Sequence, residues 1–137
     1  MTEHKLQTKR EELAPITSTV QAAVEASGIQ EGICLVCCHH TTAGITINEN
    51  ADPDVRGDLL LGLAKAFPDR PEFRHFEGNS AAHLKAACVG ASATIPIERG
   101  ALALGRWQGV YFCEFDGPRS RQFFVQILGE EPREKSL

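Results

Sequence analysis

The chain has 137 residues and a formal net charge of −4, with 14 basic and 18 acidic side chains. A chain of this length is expected to form one domain with its own core, here across residues 1–137. Because the basic residues are scattered and the net charge is negative, we expect no nucleic-acid partner. The longest apolar run is far shorter than the roughly 20 residues that a membrane-spanning helix needs, so we expect no membrane segment.

The five cysteines indicate a reducing environment. Their number is odd, and most lie in apolar segments, where a free cysteine behaves as a small hydrophobic side chain. With no apolar leader after Met1, this predicts a cytoplasmic protein. Cys34 and Cys37 have the C-x-x-C spacing, but residues three apart on a strand face opposite sides. We therefore predict buried packing rather than a redox or zinc pair.

The chain begins with a predicted edge strand followed by a helix. Residues 4–10 alternate weakly and carry charges, which is typical of an edge strand. Residues 16–26 have apolar residues at helical spacing. Thr17 or Ser18 is the expected cap of this helix, and Gly28 is the expected end.

Two strands and a second helix are predicted next. Residues 32–38 and 44–47 are rich in β-branched residues, which favour strands. The run Asp52-Pro53-Asp54 then predicts a helix start, because it combines a capping acid, an early proline and an acid in the first turn.

The second half of the chain predicts one more helix, four strands and a charged tail. The helix is alanine-rich, covers residues 81–89 and ends at Gly90. Strands are expected at residues 92–97, 101–104, 110–115 and 122–128, of which the last two are the clearest hairpin partners. The tail, from about residue 130 to 137, is expected to fray. Since strands occur in pairs between helices, the sequence favours an α+β domain with a mixed or antiparallel sheet.

A polar stretch from His39 to Asp54 follows directly on the apolar strand at 33–38. Burying one unpaired polar group costs about 1–3 kcal/mol. We therefore expect this stretch in a cleft or interface, where a ligand, an ion or a second subunit satisfies it. Because adjacent strand residues face opposite sides, only one of His39 and His40 is expected in a given site.

Three histidines have the chemistry of a transition-metal site. A group of His40, His75 and His83 would suit Zn²⁺ or a similar ion. The alternative is that backbone carbonyls, or other histidines across an interface, satisfy these side chains. A role as acid, base or phosphate donor is equally compatible.

Two further groups could bind a hard cation and phosphate. If the strand persists, Asn48, Asn50 and Asp52 share one face and would suit Mg²⁺, while the alternative for Asp52 is helix capping. Arg119 and Arg121 could clamp a phosphate with paired donors. The alternative for the arginines is a solvated hairpin tip.

Several motifs occur together in an order that is typical of one family. They are His40-Thr41-Thr42-Ala43, Asn48-Glu49-Asn50-Ala51-Asp52, His75 with Glu77-Gly78-Asn79 and Ala82-His83, Ile95-Pro96, Leu104-Gly105 with Trp107-Gln108, and Glu114-Phe115-Asp116-Gly117-Pro118-Arg119. From about residue 33 to 129 the chain thus resembles the YjbQ-like family. It departs from the family pattern at Ala91, where members often have serine, and at Phe73, where tyrosine is common.

The resemblance implies an α+β domain of two packed, mostly antiparallel sheets with flanking helices, assembled as a homotrimer with clefts between subunits. Some members are labelled secondary thiamine-phosphate synthases, which join a pyrimidine diphosphate to a thiazole phosphate with loss of diphosphate. A transferase acting on small phosphorylated molecules is therefore the first hypothesis. The alternative is a non-catalytic homotrimer that binds a metal ion or a small anion.

The transferase hypothesis assigns three kinds of role to side chains in the family motifs. Catalytic residues donate to leaving oxygens or orient the incoming ring, and they are His40, His75, His83 and Glu114. Substrate-binding residues hold phosphate or position the substrate, and they are Asn48, Asn50, Asn79, Asp116, Arg119 and Arg121. The expected metal ligands are the three histidines for Zn²⁺ and Asp52 for Mg²⁺.

Overall fold

The computed structural model describes residues 1–130, so the predicted tail lies outside the described residues except for Glu130. The elements are β1 (Thr2–Gln7), β2 (Glu12–Pro15), α1 (Thr17–Ser27), β3 (Gly32–Cys38), β4 (Ala43–Glu49), α2 (Pro53–Ala66), α3 (Ser80–Val89), β5 (Ser92–Glu98), β6 (Ala101–Leu102), β7 (Gln108–Glu114) and β8 (Ser120–Gly129). Within residues 1–130, every helix is too short or too polar to cross a membrane.

The strands form two antiparallel sheets, which confirms the predicted α+β class. One sheet has the order β1-β8-β3-β5-β6, and the other has the order β2-β7-β4. The predicted hairpin of residues 110–115 and 122–128 is wrong. These strands are consecutive, but β7 pairs with β2 and β4, whereas β8 pairs with β1 and β3. Each is a central strand buried among apolar neighbours, and alternation alone does not specify which strand is the partner.

The main core lies between the two sheets. Val36 of β3 and Val125 of β8 face Ile45 of β4 and Phe112 of β7, and Val24 of α1 closes the same cluster. Each of these side chains is at most 1% exposed. Full burial of such side chains contributes about 1.5–3 kcal/mol each, so this layer holds the two sheets together.

The other face of the three-stranded sheet is covered by α2 and α3. Leu13, Tyr111 and Cys113 pack there against Ala82 and Ala86. The outer face of the five-stranded sheet is more open. Ile33 and Leu128, which are paired in register, are 49% and 65% exposed there.

The ends of the helices agree with the predictions except at the first N-terminus. The expected cap by Thr17 or Ser18 is wrong, because α1 has no side-chain cap. The Thr17 Oγ1 instead accepts a hydrogen bond from the backbone N–H of Val110, at 2.8 Å, and ties α1 to β7. Gly28 ends α1 with φ 71°, a left-handed conformation that glycine adopts readily. Asp52 caps α2 as predicted.

Candidate functional site

A polar cleft of about 350 Å³ opens where three segments of the chain meet. The first is the loop that follows β3, from His39 to Thr42. The second precedes and begins α3, from His75 to His83, and the third leads into β8, from Arg119 to Arg121. Because β3 and β8 are neighbours in the large sheet, the end of one strand lies beside the start of the other. The sheet topology therefore brings residues some 80 positions apart into one cleft.

The cleft contains six of the eleven side chains that the sequence predicted for the site. Within residues 1–130, these six are His40, His75, His83, Asn79, Arg119 and Arg121. Glu114 and Asp116 lie behind the arginines and bind them directly. The remaining three, Asn48, Asn50 and Asp52, lie at or after the C-terminal end of β4, whereas the cleft adjoins its start.

Arg121 and Glu114 form a buried ion pair behind the cleft wall. Glu114 is 0% and Arg121 is 3% exposed. The guanidinium donates from Nε to Oε1 at 2.7 Å and from Nη2 to Oε2 at 2.5 Å. The Thr8 hydroxyl and the backbone N–H of Asp116 complete the carboxylate's hydrogen bonds, at 2.5 and 2.9 Å. Glu114 thus positions Arg121 from behind the wall and does not line the cleft.

The ion pair stays charged near neutral pH. Burial of the Glu114 carboxyl acts to raise its pKa, but the hydrogen bonds from Arg121, Thr8 and the Asp116 backbone outweigh burial and hold the pKa below its ordinary value. The hydrogen bonds to Glu114 raise the pKa of Arg121 further above its ordinary value, against the effect of burial. Neither group is therefore expected to exchange protons with a ligand.

Arg119 is held more loosely, at the rim of the cleft. Its side chain is 48% exposed and donates from Nη2 to Asp116 Oδ2 and from Nε to the Asp116 carbonyl, both at 2.7 Å. Asp116 also accepts a hydrogen bond from Asn79 Nδ2 at 2.8 Å. Asp116 is thus the common anchor for two cleft residues. Within the described chain, the Asn79 Oδ1 is a buried acceptor without a hydrogen-bond donor.

His40 is fixed at the inner end of the cleft. Its Nε2 accepts a hydrogen bond from the backbone N–H of Gln122 at 3.0 Å, and its ring lies edge-on to Phe112 at 6.5 Å between centroids. Burial lowers the pKa of His40, and the positive charge of Arg121 lowers it further. The imidazole is therefore expected to be neutral near pH 7.

The other histidines of the cleft are more open. His39 stacks on Phe124 with ring centroids 4.2 Å apart, and His75 and His83 stand nearly perpendicular with centroids 5.3 Å apart. The expectation that only one of His39 and His40 joins a site is wrong, since both line the cleft. Strand β3 ends at Cys38, so the rule of alternating faces no longer applies at these two positions.

The predicted magnesium group is not assembled. Strand β4 ends at Glu49, so Asn48, Asn50 and Asp52 do not share a strand face. The Asn48 Oδ1 accepts from the next backbone N–H at 2.8 Å, and Asn50 Nδ2 donates to a backbone carbonyl of β7 at 3.1 Å. Asp52 caps α2, at 2.9 Å from the N–H of Asp54. The carboxylate of Asp52 therefore does not fit a magnesium ion at this cleft.

The predicted zinc group is only partly assembled. His40, His75 and His83 line one cleft, but Nε2 of His40 is already a hydrogen-bond acceptor. Within residues 1–130, no group of three or more histidine, cysteine or acidic side chains is arranged to hold a metal ion.

Four cleft residues were not among the predicted site residues. Thr41 and Thr42 belong to the polar stretch that follows β3, and Glu77 belongs to the second polar run, so a local signal existed. The fourth is His39, which the strand rule placed outside the site. The Thr42 hydroxyl accepts from Arg121 Nη2 at 2.8 Å and helps to fix it.

A second depression of about 330 Å³ adjoins the cleft and shares three of its residues. The shared side chains are His40, Thr41 and His83. The rest of the second depression is lined by small residues of β4, α3 and the α3–β5 connection, namely Ala43, Ala86, Ala87, Gly90 and Ala91. A polar cleft and a largely apolar depression are therefore continuous.

The two antiparallel sheets and three helices of residues 1–130 define an α+β fold that known proteins share. The model of the "UPF0047 protein YjbQ-like" family matches residues 2–130, and the chain belongs to this family. It is 53% identical to the UPF0047 protein YugU of Bacillus subtilis over 89% of this chain and 93% of that protein. It is 50% identical to a UPF0047 protein of Methanocaldococcus jannaschii over 90% of this chain and 89% of that protein.

Solved structures of family members have the same fold. A YjbQ/UPF0047 family protein from Clostridium acetobutylicum has a TM-score of 0.91 and 53% identity, covering 93% of this chain and 100% of that one. A protein from Sulfolobus solfataricus, described as YbjQ-like and of unknown function, has a TM-score of 0.90 and 35% identity, covering 94% and 96%.

Proposed function

We propose that this chain is a transferase of the thiamine-phosphate synthase type, which joins a pyrimidine diphosphate to a thiazole phosphate and releases diphosphate. The observation that supports this proposal is one polar cleft where four histidines and two arginines converge. Imidazole N–H and guanidinium groups are the donors that proteins use to bind phosphate oxygens. The cleft thus has the chemistry needed for a phosphorylated ligand.

Catalysis of this reaction requires the cleft to stabilise the leaving diphosphate. The thiazole nitrogen attacks the methylene carbon of the pyrimidine, and a C–N bond forms as the C–O bond to diphosphate breaks. The electron pair of the broken bond leaves with the diphosphate, while the thiazole nitrogen becomes positively charged. Arg119 and the imidazoles of His75 and His83 can donate to the leaving oxygens, where charge develops. Since Asp52 lies outside the cleft, the proposal uses no protein-bound magnesium.

The size of the site favours a ligand with a polar and an apolar part. Sites for small molecules typically have volumes of about 300–1,000 Å³, and the cleft of about 350 Å³ is at the low end. The adjoining depression of about 330 Å³ adds room for an organic ring beside the phosphate. Together they suit a phosphorylated heterocycle better than free phosphate.

The test is thiamine phosphate formation by purified protein that is given both substrates. His75→Ala is expected to lower the rate about 10²-fold or more, the usual contribution of a positioned acid or donor. His4→Ala is the matched control, because His4 lies on β1 and is not a cleft residue. Loss of product in Arg119→Ala excludes a contaminating synthase, because a contaminant would remain active in that preparation. Equal rates in wild type and His75→Ala would remove this histidine from the mechanism, and absence of product from folded wild type would contradict the transferase.

The second candidate is a non-catalytic protein that binds a metal ion or a small anion. The pair of His75 and His83, with ring centroids 5.3 Å apart, favours it. Metal analysis of the purified protein distinguishes the two functions. Stoichiometric zinc that is lost in His83→Ala, without turnover of either substrate, would support binding over catalysis.

We also propose that the protein works as a cytoplasmic homotrimer. The apolar patch formed by Ile33 and Leu128 on the outer sheet face favours self-association. On the same face Phe124 stacks on His39 of the cleft, so a neighbouring subunit there would lie close to the site. The five free thiols favour a reducing compartment.

Sedimentation equilibrium tests the assembly. We expect wild type to have three times the mass of one chain and Leu128→Asp to dissociate, because a charge in an apolar contact is costly. Leu61→Asp is the control, since Leu61 is 55% exposed on α2, which covers the other sheet. A monomeric wild type, or dissociation of both variants alike, would contradict this assignment of the interface.

A further inference from the structure

We infer that His40 is held in the tautomer that carries its proton on Nδ1, and that His40 and Arg121 form a fixed pair of donors that selects an oxyanion over a metal ion. The ligand class rests on the proposed function. The tautomer does not, because it is a property of the free protein.

The tautomer follows from the hydrogen bond between β8 and the loop after β3. A neutral imidazole has one donor nitrogen and one acceptor nitrogen. The backbone N–H of Gln122 can only donate, and it lies 3.0 Å from Nε2 of His40. Nε2 must therefore be the acceptor, which leaves the proton on Nδ1.

The sheet register explains why a side chain occupies this position. Pairing of β3 with β8 ends at Cys38 and Phe123. Gln122 immediately precedes Phe123 in β8, beyond this last pair, so no residue of β3 lies opposite it. The chain turns away after Cys38, and the imidazole of His40 satisfies the backbone N–H that β3 no longer reaches. Without this acceptor the N–H would be unpaired, which destabilises the fold where the group is buried.

The same contact disfavours the charged form of His40. An imidazolium carries a proton on both nitrogens, so its Nε2–H would point at the Gln122 N–H and two donors would face each other. Burial and the charge of Arg121 act in the same direction, since both lower the pKa of His40. His40 is thus a neutral donor and not a proton source.

Arg121, which lines the same cleft, is also fixed by hydrogen bonds to the protein. Nε and Nη2 are taken by Glu114, and Nη2 also by Thr42. Within the described residues, Nη1 of Arg121 has no hydrogen-bond acceptor, and it is not among the fully buried unpaired atoms. Because Arg121 lines the cleft, Nη1 is the part of the guanidinium left for a ligand.

Within the described residues, Nδ1 of His40 also has no hydrogen-bond acceptor, and its side chain lines the same cleft. Two such donors call for a ligand that only accepts hydrogen bonds. The oxygens of a phosphate or diphosphate do so. A metal ion needs a nitrogen lone pair from His40. Nδ1 could supply that lone pair only if the proton moved to Nε2, where it would oppose the Gln122 N–H. The geometry therefore favours an oxyanion at this end of the cleft.

The first experiment determines the tautomer of His40 in the free protein. Long-range ¹H–¹⁵N correlation spectra of ¹⁵N-labelled wild type near pH 7 are expected to show His40 with a protonated Nδ1 and an unprotonated Nε2. The spectrum of His40→Gln identifies the signals by their loss. A protonated Nε2, or an imidazolium, would overturn the inference even if the cleft binds diphosphate.

The second experiment separates the two nitrogens of His40 with two isosteric variants. His40→Asn places an amide near the Nδ1 position and loses the acceptor for Gln122, whereas His40→Gln keeps that acceptor and loses the donor. In titrations with inorganic diphosphate, we expect His40→Gln to bind about tenfold more weakly than wild type or worse, because a hydrogen bond to a charged group is lost. His40→Asn should retain more affinity.

The possible results separate this inference from the proposed function. Equal diphosphate affinity in wild type and His40→Gln, with both proteins folded, would overturn the donor role. Stoichiometric zinc that His40 binds would overturn the preference for an oxyanion. A protonated Nδ1 in a protein that does not bind diphosphate would confirm the tautomer and contradict the ligand class of the proposed function.

Discussion

Arg121→Ala is expected to lower the free energy of unfolding by about 3–5 kcal/mol, because it leaves a buried carboxylate without its countercharge. Glu114 is 0% exposed, so its charge is compensated by Arg121 and not by solvent. Thr8 and the Asp116 N–H would still donate to the carboxylate, but they carry no full charge. Urea unfolding followed by circular dichroism measures the loss.

Arg119→Ala is the matched control for this prediction. It also breaks an arginine–carboxylate pair, but the Arg119 side chain is 48% exposed. Exposed pairs contribute about 0–1 kcal/mol, so the variant is expected to unfold almost like wild type. Equal decreases in the free energy of unfolding of the two variants would show that burial of Arg121 does not govern the strength of its ion pair.

Gly117→Ala is expected to lower the free energy of unfolding by about 1–3 kcal/mol, the usual cost of overpacking. A Cβ at Gly117 would lie only 2.0 Å from the backbone carbonyl oxygen of Lys9, so one of the two loops must move. The backbone N–H of Gly117 also donates to the Arg10 carbonyl at 2.9 Å, which holds the loops together. Displacement of this loop would carry Asp116 and Arg119 with it and weaken phosphate binding. Urea unfolding and a diphosphate titration measure the two effects.

Gly62→Ala is the control, because a Cβ there would have no atom within 4 Å. Gly62 lies inside α2, where alanine is favoured over glycine by about 0.5–1 kcal/mol. This variant is therefore expected to be slightly more stable than wild type. A Gly117→Ala protein as stable as Gly62→Ala would contradict the close approach of the two loops.

Local patterns in the sequence predicted most elements but not the partners of the strands. Gly28 ends α1 through its backbone preference, and Asp52 begins α2 through the hydrogen bond of its side chain. Both effects are local and need no knowledge of the fold. The pairing of β7 and β8 with different sheets depends on which apolar faces meet. That information is spread over the whole chain, so proximity in sequence gave a false hairpin.

The candidate site was predicted where side-chain chemistry alone was informative. His75, His83 and Arg119 do line the cleft; His75 and Arg119 lie in polar loops, and His83 lies in α3. The burial of Arg121 was not predicted, because a single register position on β8 separates an exposed residue from a buried one. Thr8 had no local signal either, since it bonds Glu114 across 106 positions of the chain.

The most direct test of the proposed phosphate-binding cleft is a calorimetric titration of wild type and Arg119→Ala with the pyrimidine diphosphate. The account predicts one binding site per chain. It also predicts affinity about tenfold lower or worse in the variant, because a charge-assisted hydrogen bond is lost while the fold is kept. The pyrimidine alcohol without diphosphate should bind much more weakly. No binding by folded wild type, or equal affinity for the diphosphate and the alcohol, would contradict the claim that this cleft recognises phosphate.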